Sequence, residues 1–522
     1  MLLQRLALGL ICLFFAVGSG FAQVTPFETG QAGPATPLDQ IVRDGLARRG
    51  IEPALGCSDS VFVRRVFLDV TGTIPTPEET LAFLNDRAPN KRAILIDHLM
   101  TRPEFADYWA MKWCDVLRVK SEYPINLWPN AVQAYHRWIR DAVARNMPYD
   151  QFARALLTSS GSNFRVPPVN FYRAIQGRQA QPIAAAVAVT FMGTRLDRWP
   201  ADQRKAMEAF FSRVGYKSTQ EWKEEIVFLN PASTQTLQTT FPGGRAISIP
   251  VGQDPRLVFA DWLIQKDNPW FARAIVNRVW AWLMGRGIVH EPDDIRPDNL
   301  AVYPELLDYL SKQLVDSNYD LRHVYRLILN SSTYQQSSIP RSGKPEAEAL
   351  FAFYPTRRLE AEVLIDALNS IAGDNGEGYE SPIPEPFTYI PDTMRAVQLA
   401  DASISSSFLD MFGRSARDTG LESERNNNLS DAQRLHLINS SSVQRKIETS
   451  PRLRKIMMAG RESGDRGAVL DGIYLMILSR YPTQQERMAV GRYTQRPKNI
   501  PRLALADVAW ALINSKEFLY RH

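Results

Sequence analysis

The sequence predicts an all-α protein with a short extended connector, on three observations. Apolar residues recur at helical spacing through most of the chain. Helix-start and helix-stop residues punctuate these stretches, and β-like runs are confined to one segment, 216–255. The 522 residues are enough for two or three domains at ~100–200 residues each. A hydrophobic fraction of 45% against 22% charged residues supplies core and surface in the proportions of an ordinary folded protein. The net charge of +5 is small for this length and its basic residues are dispersed, which argues against a nucleic-acid partner.

Residues 1–22 read as a secretory signal peptide. Arg5 supplies the positive start, Leu6 to Val17 the apolar stretch, and Gly20 with Ala22 the small residues before a cut. That apolar stretch is too short for the ~20 helical residues a bilayer span needs. The expectation is therefore export to the periplasm, cell envelope or extracellular space, with no transmembrane segment after cleavage. Residues 23–37, rich in Pro, Gly and Thr, read as a linker. Cys57 and Cys114 then remain, too few for a disulfide framework; two buried thiols are the expectation.

A helical domain is predicted over 38–215. "PLDQIVRDGLARRG" opens with Pro37 and closes with Gly50, the usual asymmetry of helix ends. "SDSVFVRRVFLDVTG" has Val61, Phe62, Arg65, Val66 and Leu68 at helical spacing and stops at Gly72. In "TPEETLAFLND", Thr76, Pro77 and Glu79 form a capping box. "KRAILIDHLMTRPEFADYWAMKWCDVLRV" gives two helices broken around Pro103. "NAVQAYHRWIRDAVARN", "PYDQFARALLTS" and "PIAAAVAVTFMGTRL" continue the pattern. The connector at 216–255 carries two β-like runs and a Pro-Gly-Gly turn. A second helical domain, 256–522, begins at "DPRLVFADWLIQ" and ends with "LALADVAWALINSKEFLY".

No catalytic motif of high specificity is present: there is no GxSxG, phosphate-binding glycine loop, HExxH or CxxC. The six histidines (98, 136, 290, 323, 436 and 522) include no two at metal-ligand spacing on one helix face. "HEPDDIRPD" is acidic, but Arg296 opposes a cation there, and a capped turn that partners buried arginines is the simpler reading. The candidate polar network comprises Asp69, Asp115, Arg118, Asn277, Arg278, Asp293, Asp294, Glu360 and Asp366. Most of these, like Arg137, are flanked by apolar residues at helical spacing, which places ionic groups inside a core. A buried guanidinium requires a carboxylate, because an unpaired charge in low dielectric costs several kcal/mol. Such groups are structural ion pairs or active-site acids with shifted pKa values; the sequence favours the former. Trp109, Trp113, Trp280 and Trp282 read as core rather than as a sugar-stacking platform.

The order of segments resembles two families. "FVRRVFLDVTGTIPTPEETLAFLND", "EFADYWAMKWCDVLRV" and "FFSRVG" resemble DUF1549 (PSCyt2). "DPRLVFADWLIQKDNPWFARAIVNRVWAWLMGRGIVHEPDDIR", "LRHVYRLILNSSTYQQSS", "RRLEAEVLIDAL" and "DAQRLHLIN" resemble DUF1553 (PSD1), its usual partner. The resemblance covers most of residues 38–515 and implies an exported protein of planctomycete-type bacteria, with no established activity. Members commonly carry a CxxCH segment before the "FF" motif and a CxCER segment later. Here "FMGTRLDRWPADQRKAMEAFF" has neither cysteines nor histidine, and "GLESER" places Leu421 and Ser423 at the cysteine positions while Glu424 and Arg425 remain. Tyr303 stands where the families usually have a histidine.

Thiolates and imidazoles are the ligands of haem, zinc and iron–sulfur centres. Their joint loss leads to an expectation of no cofactor and no metal. The expected role is structural or interaction-based, with a cell-surface polymer or a second exported protein encoded nearby as partner. The alternative is a hydrolase acting on a polysaccharide or its substituents, with Asp and Glu as acid and base.

Overall fold

Proline and capping side chains start the helices where the sequence places them. The computed structural model describes residues 26–29, 35–232, 234–373, 390–391, 393–495 and 501–522, so the expected signal peptide lies outside the described residues. Thr36 caps the Pro37–Arg48 helix and Ser58 caps Asp59–Val70. The Thr76–Glu79 capping box is formed in both directions on Pro77–Asn85. Pro103 ends one helix, Lys91–Thr101, and begins the next, Pro103–Val116. Pro129–Ala144, Tyr149–Thr158 and Ala180–Val187 follow.

The last of these does not stop cleanly. Residues Ala188–Met192 widen into a π-helical turn, and Gly193 then takes a left-handed conformation at φ 60°. A widened turn at a helix end leaves carbonyls without a regular intrahelical donor, and those of Val189 and Thr190 find one elsewhere.

Strand is largely restricted to the connector. Val214–Ser218 pairs antiparallel with Glu225–Leu229, and Leu237–Thr240 with Ala246–Ile249. The second hairpin turns through Gly243 and Gly244, both at positive φ. Two short exceptions carry more weight than their length. Gly161–Ser162 adds a third strand beside Glu225–Leu229, which fastens the connector to the first helical region. Tyr520–Arg521 pairs with Arg357–Arg358, which brings the last residues back to the middle of the molecule.

One continuous apolar core takes members from both helical regions, Leu38 through Leu519. At its centre Trp109 and Trp113 meet Trp282, with ring centroids 5.5 and 5.8 Å apart. All three are buried, as is Trp280. Cys57 and Cys114 are buried free thiols. Part of the expected linker is also anchored: Thr29 N donates to Gly56 O and Ser58 Oγ to Pro26 O. Tyr303 packs its ring over Gly45, where any Cβ would overlap it, and donates to Leu350 O.

Candidate functional site

The Phe271–Met284 helix is buried on nearly every side, and its two buried polar residues, Asn277 and Arg278, each complete a backbone that could not complete itself. Asn277 donates to Val289 O at 3.0 Å and accepts from Val289 N at 2.9 Å, pairing with the loop backbone as a strand would. Arg278, with 1% of its side chain exposed, donates to Thr190 O and Val189 O, the two carbonyls freed by the π-turn. Its Nη2 also lies 2.6 Å from Asp293 Oδ1. Asp293 in turn accepts the backbone N–H of Glu422 at 2.7 Å. Burial works against the Arg278 charge, but Asp293 more than offsets it and raises the guanidinium pKa.

This single arginine therefore joins three segments that are far apart in sequence: the end of "AVTFMG", the "HEPDDIRPD" loop and "GLESER". Ile295 N donates to Gly193 O at 2.7 Å, so the loop and the end of the π-turn are also bonded directly. Leu421 and Ser423 offer no thiolate, and among the described residues no group of three or more His, Cys, Asp or Glu is placed to hold a metal ion. The donor set does not fit haem iron, zinc or an iron–sulfur cluster.

A second network lies beside the first. Asp115 binds Arg417 Nε at 2.9 Å and Arg425 Nη2 at 2.7 Å, while Arg425 Nη1 reaches Glu362 at 2.6 Å. Burial alone would raise the Asp115 carboxyl, and the two guanidinium groups instead hold it below its usual range. Glu424 accepts the N–H groups of Asp418 and Thr419, so the Glu-Arg pair of "GLESER" shapes its own loop and, through Arg425 and Asp115, pins it to the first region. Gly420 is required there: its φ is +73°, and a Cβ would lie 2.6 Å from Val116 O.

The third network forms where Arg521 arrives. Its Nε lies 2.9 Å from Asp69 Oδ1 and its Nη1 2.5 Å from Glu360 Oε2. Lys112 Nζ reaches Glu360 Oε1 at 2.7 Å, and Arg357 Nη2 reaches Asp69 Oδ1 at 2.8 Å. Tyr334 and Tyr354 donate to the other oxygen of Asp69. The contacts of Arg521 with the two carboxylates are close charge pairs rather than aligned hydrogen bonds. Despite burial, Arg521, Lys112 and Arg425 hold the Glu360 carboxyl well below its ordinary value.

Not every expected residue joins these networks. Arg118 has no carboxylate partner among the described residues; it donates to Thr419 O at 2.9 Å, and burial lowers its pKa to about 10. Asp294 sits next to Asp293 and is also largely buried, but it turns to other arginines, Arg198 at 3.2 Å and Arg296 at 3.3 Å. Arg137 is exposed. Amphipathic spacing places a residue on a helix without fixing which neighbour covers it, and Arg137 falls on the wet side of Pro129–Ala144.

Asp366 departs furthest from the group. It accepts the N–H groups of Ala396 and Val397, but burial prevails over these donors and over nearby Arg395, and its carboxyl is pushed up to about 7. It lines an open cleft of about 230 Å³ between the two helical regions. Sequence reasoning missed Lys112, Arg357, Glu362, Arg417, Arg425 and Arg521 as partners. The available signal was weak: each lies close to apolar residues that also enter the core.

Residues 37–216 match the family model of a protein of unknown function, DUF1549 (PSCyt2), and residues 255–494 match that of a protein of unknown function, DUF1553 (PSD1). No curated protein and no solved structure matches the chain. Among the described residues no helix is long and apolar enough to cross a membrane.

Proposed function

This chain belongs to the DUF1549 (PSCyt2) and DUF1553 (PSD1) families, and from that premise we propose that it is an exported helical scaffold of the cell envelope or periplasm. Its role is structural or interaction-based, without bound haem or metal, alongside a cell-surface polymer or another exported protein. One observation carries the reading. Arg278 locks the end of a PSCyt2 helix to one PSD1 loop directly and, through Asp293, to a second. Redox or metal chemistry needs ligands there; this chain has a guanidinium, a carboxylate and backbone groups instead, sealed from solvent. The clamp thus keeps the two regions together without a prosthetic group.

The test is thermal unfolding of Arg278→Met and Arg278→Lys. Removing the charge strands buried Asp293, at a cost on the order of 3–5 kcal/mol. The ammonium of Lys cannot reproduce a planar fork spanning two carbonyls and a carboxylate, so that variant is also destabilised. Unchanged midpoints in both would remove the clamp from the reading. Export is tested separately by fractionating cells that express the chain with residues 1–22 intact; uncut protein held in the cytoplasm would remove it.

A second reading, a hydrolase acting on a polysaccharide or its substituents, is favoured by the cleft. Asp366 is a carboxyl suited to proton donation near neutral pH, and Glu79 lines the same opening. Loss of hydrolysis in Asp366→Asn with an unchanged fold would select it; no hydrolysis of envelope polysaccharide by the wild type would reject it.

A further inference from the structure

The cleft between the PSCyt2 and PSD1 regions has a chemistry of its own. Three of its lining residues are arginines from separate segments: Arg102 between two PSCyt2 helices, Arg395 before the Ala396–Gln398 turn, and Arg452 in the first turn of Pro451–Ser463. We propose that this cleft binds a small oxyanion, the carboxylate, phosphate or sulfate group of a hydroxylated ligand, between these arginines.

The pairing of the three side chains supports the assignment. Arg102 is answered by Glu79 and Glu104. Arg395 gives Nη2 to Asp107 at 2.8 Å, while its Nη1 is buried and has no partner among the described residues. Arg452 pairs with no carboxylate among the described residues; it donates to Ser370 Oγ at 3.2 Å. Arg395 and Arg452 thus both line the opening with guanidinium groups that carboxylates do not fully take up, and a planar fork suits an oxyanion better than it suits a neutral group. Neutral donors stand beside it. Asn369 commits its Oδ1 to Lys446, which leaves its amide N–H groups, and Ser370 and Thr73 offer hydroxyls.

The carboxylates in the cleft do not cancel this. Glu79 is already engaged by Arg102 and by the N–H of Thr76. The Asp366 carboxyl, pushed up by burial, is only partly ionised at neutral pH. An opening of about 230 Å³ admits an anionic group with part of its carrier. This site does not rest on the scaffold reading or on hydrolysis, since binding is measured without turnover.

The experiment is isothermal titration calorimetry of the mature full chain with sodium phosphate, sodium sulfate and sodium acetate, at constant ionic strength set with sodium chloride. At least one anion is expected to bind saturably. Arg395→Gln and Arg452→Gln should each weaken that binding by about tenfold or more, the loss of one charge-assisted contact. Arg154→Gln, whose partner Asp261 is at a remote exposed pair, should leave it unchanged. Arg452 is the safer variant for folding because it has no ion pair to lose among the described residues. Binding of acetate alone assigns a carboxylate ligand, and binding of phosphate or sulfate with acetate silent assigns an ester. No saturable heat with any of the three, or binding that both cleft variants leave intact, overturns the proposal.

Discussion

Glu360 and Asp366 belong to the same stretch of chain, the N-cap and the interior of the Ala361–Ala372 helix, and both are buried. Glu360 faces Lys112 and Arg521 at 2.7 and 2.5 Å, and its carboxyl is held far below the usual range. Asp366 faces the cleft and, among the described residues, takes only backbone N–H groups at hydrogen-bond distance, and burial pushes it up to about 7. The difference lies in the partner rather than in depth. Buried full charges offset desolvation where two dipoles do not. The sealed side of this helix is accordingly a charge network, and the open side holds an acid that can gain or lose a proton near neutrality.

The largest break in this comparison should come from Arg521→Met, which removes the guanidinium that Asp69 and Glu360 share and leaves each buried carboxylate with one cation, Arg357 and Lys112 respectively. A loss on the order of 5 kcal/mol or more is expected, read as insolubility or a steep fall in the melting midpoint. A midpoint within a few degrees of wild type would mean that water reaches these carboxylates.

The pH dependence of stability sharpens the contrast, because the two acids act with opposite signs. Glu360 has a folded value below its unfolded 4.5, so its contribution is present above that pH and is lost as pH falls. Asp366 has a folded value near 7 against 3.8 unfolded, so the folded chain holds a proton that the unfolded chain releases. Its contribution therefore weakens as pH rises from about 4 to 7, by roughly 4 kcal/mol at 1.36 kcal/mol per pKa unit. His136 and His522, both lowered to about 4 by burial, oppose this slope in the same window. The informative quantity is thus the stability difference between wild type and Asp366→Asn, from urea unfolding at several pH values. It should shift progressively in favour of the variant as pH rises from 4 to 7; a flat difference would place Asp366 in contact with solvent.

A smaller effect is expected at Gly420, where alanine combines a left-handed backbone with a Cβ 2.6 Å from Val116 O. Gly420→Ala should cost about 1–3 kcal/mol in chemical unfolding. An unchanged midpoint would show that "GLESER" is not held tightly against the first region. The smallest belongs to the cleft: Arg452→Gln should move stability by no more than about 0.5 kcal/mol. A large loss there would make Arg452 part of the scaffold rather than of a binding wall.

Much of the fold was legible because helix punctuation is local. Thr76, Pro77 and Glu79, and Pro103 each act on the backbone within a turn of themselves. The requirement that Arg278 have a carboxylate partner was legible too, since a charge inside an apolar helix carries that need wherever the chain goes. Asp293 stood in the acidic loop to which the sequence pointed. The neighbouring Asp294 was indistinguishable from it, because side by side in a loop the two differ only in which way they face.

What the sequence by itself determined was the helical class, the stretch where most strand falls, and that Arg278, inside an apolar helix, needed a partner. Tertiary structure alone decided which partner each received. Arg521 reaches Asp69 and Glu360 because a two-residue strand returns to Arg357–Arg358. Arg425 crosses to Asp115, and Arg278 to the carbonyls of a widened helix turn. Asp366 was read as a member of the same network, yet it faces an opening that exists only once the two regions pack. Local chemistry fixes what a side chain requires, but the pairing, burial and proton affinity of a charge depend on groups brought near it by the whole fold.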